Sequence, residues 1–245
     1  MQWTVRNAEP GDRATMLTIA AEGGSPDADA EHLGFLSAAG RLLVADGPGG
    51  VAGFVGVLEV DGASMVTDLF VASAHRGRGI GGALLRSSLP DGVAAFTFAS
   101  ADPAALAAYR RVGMEVRWPL LTMRGTAEGG SLLTPRPWSG GNSAVARHLA
   151  TSGAVSTGYA LVTQRGEMAH LHRVEAPVEV AVGALAEVCS GLPAGTTIEL
   201  SVPADSVLLA WLVLHGFRVV DVDIHCATPG FVLDPRLAAV HRGLG

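Results

Sequence analysis

Apolar and polar positions along the chain fall into alternating short runs and helical stretches. Residues 3–8 (WTVRNA) read as a short strand. The segment EPGDRATMLTIAAE follows, with Asp12 placed to cap a helix whose apolar positions include Met16, Leu17 and Ile19. A second helix is predicted from SPDADAEHLGFL, where Ser25 can cap and Pro26 suits the first turn. RLLVAD, VAGFVGVLEVDG and ASMVTDLFVA are β-rich and separated by the turn signals GPGG and DGAS, which predicts an antiparallel meander. After a glycine-rich stretch, GGALLRSSL predicts a helix and VAAFTFAS a strand. DPAALAAYRRVG predicts a further helix, with Asp102 as cap, Pro103 just inside and Gly113 as stop, and MEVRWPLLTMRG predicts a closing hairpin.

From 125 to 143 the chain has linker composition, although Leu132, Leu133 and Trp138 imply packing. Beyond it the sequence repeats itself weakly. ADPAALAAYRRVGMEV (101–116) laid over ADSVLLAWLVLHGFRV (204–219) keeps Ala-Asp, Leu106 with Leu209, Ala107 with Ala210, Gly113 with Gly216 and Val116 with Val219. A strand-like run precedes each segment, VAAFTFAS in one case and TTIELSVP in the other. A duplicated fold is the expected origin, with a first domain over 1–125, a linker and connecting helix over 126–150, and a second domain over 151–245.

Composition narrows the function classes. The chain has 245 residues, 49% hydrophobic and 16% charged, which is the globular regime. A formal charge of −6 and the lack of a basic run argue against a nucleic-acid surface. All 17 basic residues are arginine, which with the abundant Ala, Gly and Val reads as the codon bias of a GC-rich bacterial genome. The start, MQWTVRNAEPGDRATM, shows no basic n-region followed by an apolar stretch. The longest strongly apolar run, VLLAWLVL at 207–214, is far below the ~20 residues of a membrane helix. A cytoplasmic protein without a membrane partner is therefore expected. Cys189 and Cys226 form no CxxC and sit in apolar stretches, so buried free thiols are predicted.

The stretch HRGRGIGGALL (75–85) admits two nucleotide readings. As GxGxxG, Gly77, Gly79 and Gly82 match the dinucleotide fingerprint, with Asp102 roughly where a ribose-binding acid would fall. That fingerprint follows a continuous apolar strand, whereas SMVTDLFVASAH alternates and ends several residues before the glycines. As Arg-x-x-Gly-x-Gly, Arg76, Gly79 and Gly81 form a pyrophosphate loop. Successive amides from Arg76 to Gly82 converge there, the next helix adds its positive end, and Arg78 adds charge.

In this position, after TDLFVA and with this element order, the loop resembles motif A of the GNAT acyltransferase superfamily. VRNAEPGD resembles the superfamily's opening through Arg6, Ala8 and Asp12. ADPAALAAYRRVGM resembles its later motif through Tyr109 and Gly113, with Asp102 in place of the usual Asn and Met114 in place of Phe. The second half resembles the C-terminal GNAT-like domain of tandem, YitH-like acetyltransferases in GYALVTQRG, IELSVPADSVLLAWLVLHGF and CATPG. There the loop position reads VEVAVGALAEV, with one glycine and no arginine, and Leu212 stands opposite Tyr109.

The resemblance implies an α/β (α+β) protein of two GNAT-like domains, each a mixed, mostly antiparallel twisted sheet flanked by helices, with the second domain degenerate. It implies an N-acetyltransferase that moves an acetyl group from acetyl-CoA directly to a primary amine of a small molecule. The alternative is a non-catalytic acyl-CoA-binding sensor or interaction protein. On this resemblance the backbone of Leu69, Phe70 and Val71 pairs with the pantetheine. Arg76, Gly77, Arg78, Gly79, Ile80, Gly81 and Gly82 hold the pyrophosphate, and Asp102 and Tyr109 also face the cofactor. Tyr109 donates to the departing sulfur, and a phenol of pKa ~10 facing a thiolate of pKa ~8.5 makes that feasible. Asp68 accepts the proton of the amine, with Glu59 and Glu115 as further carboxylates.

The acidic segment EGGSPDADAE (22–31) lies where the family forms its acceptor wall, although Asp27 and Asp29 also suit a helix N-terminus. His170 and His172 alternate on a predicted strand but have no third ligand at metal spacing, so no metal is expected. They, His75 and His225 read as ordinary polar residues, and the protein is expected to be a monomer or homodimer.

Overall fold

The computed structural model describes residues 3–25, 30–60, 62–129, 134–135, 153–155, 158–233 and 237–239. Pro26, Asp27, Asp29, Leu132, Leu133, Trp138 and nearly all of the linker and connecting helix expected over 126–150 lie outside them. The chain forms two compact units. One comprises chiefly Met1–Val116 with Cys226–Phe231, the other Arg117–His225 with Val232–Gly243. The division thus falls earlier than residue 125, and a late segment belongs to the first unit.

In the first unit the elements are β1 (Thr4–Asn7), α1 (Arg13–Glu22), α2 (Ala30–Ala39), β2 (Arg41–Gly47), β3 (Gly50–Val60), β4 (Ala63–Val71), α3 (Ile80–Ser88), β5 (Ala95–Ser100) and α4 (Pro103–Arg110). The strands lie in the order β1-β2-β3-β4-β5. The first four are antiparallel, and β5 runs parallel to β4. Both helical and strand periods are visible in what is buried. On α1 the buried positions Met16, Ile19 and Ala20 recur every three or four residues, and on α3 Ile80, Leu84, Leu85 and Ser88 do the same. These side chains, with Leu33, Leu36, Phe54, Met65 and Phe96, form the core of the unit. Residues 226–231 adjoin β5: Thr228 N donates to Ala95 O at 2.8 Å, Ala95 N donates to Thr228 Oγ1 at 2.9 Å, and Phe231 stacks on Phe96.

Two local expectations change. Asp12 stands at the N-cap of α1, but its carboxylate makes no capping bond to that helix. It takes a two-pronged contact from Arg6, at 2.7 and 3.0 Å, and accepts from Glu9 N at 2.8 Å. A guanidinium offers a charged, geometrically matched fork that a helix amide does not. The hydrogen bond from Arg6 holds the Asp12 carboxyl below its ordinary range. MEVRWPLLTMRG, expected as a hairpin, belongs instead to one unbroken strand, β6 (Glu115–Thr126). Its partner is supplied by residues 197–203, far along the chain, so no turn of its own is needed. Pro119, which has no N–H to donate, accepts from Ala204 N at 2.9 Å through its carbonyl.

The second unit takes most of β6 and adds β7 (Thr134–Pro135), β8 (Gly153–Val155), β9 (Gly158–Arg165), β10 (Met168–Glu175), α5 (Ala181–Ser190), β11 (Thr197–Pro203), α6 (Leu208–Leu214), β12 (Arg218–Ala227) and β13 (Leu237–Ala239). The order is β12-β6-β11-β10-β9-β8-β7, with β13 also on β10. β10 and β11 are parallel, and β9–β10 and β11–β6 are antiparallel. The first unit's plan recurs here: an antiparallel pair, a single 3-10 turn, a helix, a parallel strand, a helix and a left-handed glycine. That glycine is Gly113 in one unit and Gly216 in the other. Among the described residues no helix is long and apolar enough to cross a membrane.

One sheet face of the second unit carries a polar row. Arg124 Nη2 lies 2.7 Å from Glu199 Oε2, His170 Nδ1 lies 3.6 Å from Glu199 Oε1, and His172 Nε2 meets Thr163 Oγ1 at 3.0 Å. His170 and then Arg124 pull the Glu199 carboxyl down to about 2. Arg124 is the closer partner. A depressed carboxyl contributes stability above its unfolded value of 4.5 and loses it as pH falls toward 2. Thermal melts of Glu199→Gln should therefore lie below wild type at pH 7, with the gap closing from about pH 4.5 downward.

Candidate active site

The glycine loop is held at both ends by the protein itself. β4 runs into a 3-10 turn, Ser73–His75, and Glu22 at the end of α1 accepts from Ser73 N and Ser73 Oγ, each at 3.0 Å. These bonds draw the Glu22 carboxyl below its ordinary value. Arg76 then folds back, its Nε donating to Val71 O at 3.1 Å and its Nη2 to Glu22 O at 3.4 Å. The Arg76 side chain thus fastens the loop to the strand that precedes it. Gly77 and Gly79 have φ of +76° and +81°, a left-handed conformation that side chains with a Cβ rarely adopt. Gly79 is the N-cap of α3, so the amides of Ile80, Gly81 and Gly82 lie in its first turn, where no helix carbonyl reaches them. A Cβ on Gly81 would have ordinary contacts only, the nearest at 3.8 Å, and one on Gly82 would meet only the far end of Arg86, at 3.4 Å. The protein's own packing does not demand glycine at these two places, and the helix end there is open. Arg78 is exposed beside the same turn.

Beside the loop, β4 and β5 part. Among the described residues their pairing covers Ser64↔Ala95, Met65↔Phe96 and Val66↔Thr97, and β4 continues beyond it to Val71 with no strand partner on that side. A register shift on the β3 side makes Thr67 a bulge, with Val66 opposite Val57 and Asp68 opposite Gly56. Ala72 N bonds Ala52 O at 2.9 Å. In an antiparallel ladder bonded and non-bonded pairs alternate, so Phe70 turns its backbone groups to β3 while Leu69 and Val71 turn theirs to the open side. Phe70, expected to offer its backbone to a ligand, is committed to the β3 ladder. Its ring packs against Phe54. Val71 O is shared with Arg76.

Tyr109 reaches the fork from α4. It is buried, and its hydroxyl bonds Thr97, the last β5 residue paired with β4. Burial pushes the phenol well above its ordinary value, and the nearby Cys226 and Asp68 push the same way. Asp102 uses its carboxylate to cap α4, accepting from Ala104 N at 2.8 Å. Asp68 lies just past the bulge, with its Oδ2 3.1 Å from His32 Nε2 on α2. His32 is the site residue that sequence reading missed; the only signal was a lone histidine one turn before the buried Leu36 of α2. Glu59 sits opposite Ser64 near the β3–β4 turn, and Glu115 opens β6, so neither joins Asp68 at the fork.

The remaining polar candidates are elsewhere. His75 packs on Trp3, and His225 is buried against Trp118 with its imidazole pushed down to about 4 by desolvation. Among the described residues no group of three or more His, Cys, Asp or Glu is placed to hold a metal ion. Cys189 and Cys226 are buried free thiols, raised to about 12 and about 11 by burial.

Residues 38–115, which contain the meander, the fork, the glycine loop and α4, match a family model described as an acetyltransferase (GNAT) domain. No curated protein matches by sequence. Among solved structures, a candidate acetyltransferase of Pyrococcus horikoshii superposes with a TM-score of 0.79 at 13% identity, over 99% of this chain and 95% of its own. A GCN5-related N-acetyltransferase of Sphaerobacter thermophilus gives 0.62 at 17%, over 94% and 98%. A tandem GNAT protein from the clavulanic acid biosynthesis pathway gives 0.60 at 15%, over 95% and 99%. The chain therefore has the mixed, mostly antiparallel α/β fold of the GNAT proteins, and its residues 38–115 are similar to a GNAT acetyltransferase domain.

Proposed function

We propose that the protein is an N-acetyltransferase that uses acetyl-CoA and a primary amine of a small molecule, working in the bacterial cytoplasm. The observation that carries this reading is the parting of β4 and β5 after Val66 and Thr97, with Tyr109 at the fork and the glycine loop beside it. The residues fit the donor. The amides of α3 and the space over Gly81 and Gly82 suit a pyrophosphate, and the outward backbone groups of Leu69 and Val71 suit an amide-bearing arm. Thr67 Oγ1 at the bulge is buried without a hydrogen-bond partner among the described residues, the mark of a polar site waiting for a ligand.

When bound, acetyl-CoA supplies an activated acetyl group and a thiol leaving group. The chain supplies the rest. The loop amides and Arg78 hold negative charge, and Leu69 and Val71 set direction along the open strand. Tyr109 keeps its proton at neutral pH and donates a hydrogen bond at the fork. Asp68, directly after the bulged Thr67, offers a carboxylate for the proton that the amine must lose.

The second unit offers a different helix entrance. α5 is preceded by Val180 at φ −119°, where α3 is preceded by Gly79, and the buried Leu212 stands in place of Tyr109. We assign it no active centre of its own, leaving one in the first unit. Calorimetric titration with acetyl-CoA, with NAD as the comparison, tests the reading. Micromolar binding of acetyl-CoA and none of NAD is expected; no heat with acetyl-CoA would overturn it.

A further inference from the structure

The second unit repeats the fork of the first, but there the chain fills it. In both units a parallel pair stops at a bulge. β4 and β5 end their pairing at Val66↔Thr97, where Thr67 is bulged against β3. β10 and β11 end theirs at Leu171↔Leu200, where a register shift against β9 makes His172 the bulge. Val66 thus corresponds to Leu171, and Leu69 and Val71 correspond to Val174 and Ala176. Thr97 corresponds to Leu200 at the same offset that sets Tyr109 against Leu212. Past its bulge β4 has no strand partner on the outer side among the described residues. β10 has one: β13 joins it antiparallel, Val174↔Ala239 and Glu175↔Leu237. β13 also neighbours β11, so its backbone occupies the opening between the two parting strands. Burial agrees with this difference. Leu69 and Val71 are half-buried, whereas Val174 and Ala176 are 0% and 1% exposed.

Parting a parallel pair strips backbone N–H and C=O groups of their partners, and buried groups of this kind must find others. The entrance beside the second fork does not suit a pyrophosphate. Between β10 and α5 the chain reads APVEV (176–180), with neither glycine nor arginine, and the exposed Glu179 sets a carboxylate in the turn before the helix. A peptide backbone, by contrast, brings neutral donors and acceptors at the spacing that a strand edge requires. We infer that the fork of the second unit is a binding groove for an extended peptide strand, filled in cis by residues 237–239, and not a second acyl-CoA site. Its mode is strand addition, in which main-chain hydrogen bonds carry the affinity. A segment tethered on the same chain acts at an effective concentration on the order of millimolar. A groove that stays filled at that concentration binds the same strand in trans with a Kd of about 0.1 mM or tighter.

Amide hydrogen exchange on the whole chain tests the groove. The variant carries Leu237→Pro and Ala239→Pro, which remove two N–H donors of β13 and disfavour its pairing. In wild type the amides of Val174–Ala176 should exchange slowly; in the variant they should exchange roughly 30-fold faster, with Leu69–Val71 unchanged. The synthetic peptide LDPRLAAVHRG (233–243) should restore slow exchange in the variant with a midpoint of about 0.1 mM or lower, and should leave wild type as it is. Unchanged exchange in the variant, or no rescue at about 2 mM peptide, would overturn the inference. Wild type supplies a second measurement that does not depend on the folding of the variant. Saturating acetyl-CoA should slow exchange at Leu69–Val71 and leave Val174–Ala176 as they are, with one equivalent bound per chain. An effect at Val174–Ala176, or two equivalents bound, would show that the second fork takes acyl-CoA and would overturn the groove while keeping the acetyltransferase reading. No effect of acetyl-CoA at either fork would overturn that reading instead, and rescue by the peptide would still establish the groove.

Discussion

Gly79→Trp should reduce acetyl-CoA affinity at least roughly 100-fold, about 3 kcal/mol, as read by calorimetry. The physical reason is position. Gly79 is the residue from which α3 starts, and among the described residues nothing beyond its chain neighbours and its own helix lies within 4 Å of where its Cβ would be. An indole there fills the space over the first-turn amides of α3 that the proposed pyrophosphate would take. A non-glycine residue at φ +81° is strained as well, by about 1–2 kcal/mol, but that strain is present with and without ligand and lowers the melting temperature rather than the affinity. Gly79→Asn separates the two effects, because Asn tolerates the left-handed conformation and adds little bulk. It should keep affinity within about fivefold, whereas loss of binding in both variants would point to collapse of the loop, and retention in both would remove the loop from the binding site.

The same contrast between local and distant causes explains what could be read from the sequence. The meander, α3, β5 and α4 are each declared by a pattern inside a dozen residues: alternation, a cap, a stop glycine. Gly77 and Gly79 are legible because only glycine is at ease at positive φ. What escaped was decided by partners far away in the chain. β6 is one strand because residues 197–203 pair along it, and Cys226–Phe231 closes on β5 across more than half the chain. Asp12 abandons α1 for Arg6, which a local capping rule does not foresee. The Arg76 side chain ties Val71 and Glu22 together, contacts that the loop motif does not announce. His32 meets Asp68 only because Gly56 lets α2 settle on the bulge, a contact between three elements that no spacing in the sequence announces.

Tyr109→Phe should lower kcat roughly 100-fold with alkylamine acceptors while leaving the affinity for acetyl-CoA within about twofold. The ring is buried and stays so as Phe, and Thr97 Oγ1 still donates to Val66 O at 2.8 Å, so the fork keeps its shape. Only the hydroxyl is removed. Burial has raised the phenol above its ordinary value, which decides how it works. A phenol above ~10 is a poor source of a fully transferred proton for a thiolate near 8.5, but it is protonated at every working pH and offers a constant hydrogen bond to developing charge. Tyr109 should therefore add no basic limb to the wild-type profile below about pH 10, and Tyr109→Phe should lower the whole profile without shifting its inflections. An unchanged kcat would mean that the thiolate departs unaided and that Tyr109 is a packing residue. A shift of the acid limb instead would mean that its hydroxyl acts through Asp68, on the amine side of the fork rather than the sulfur side.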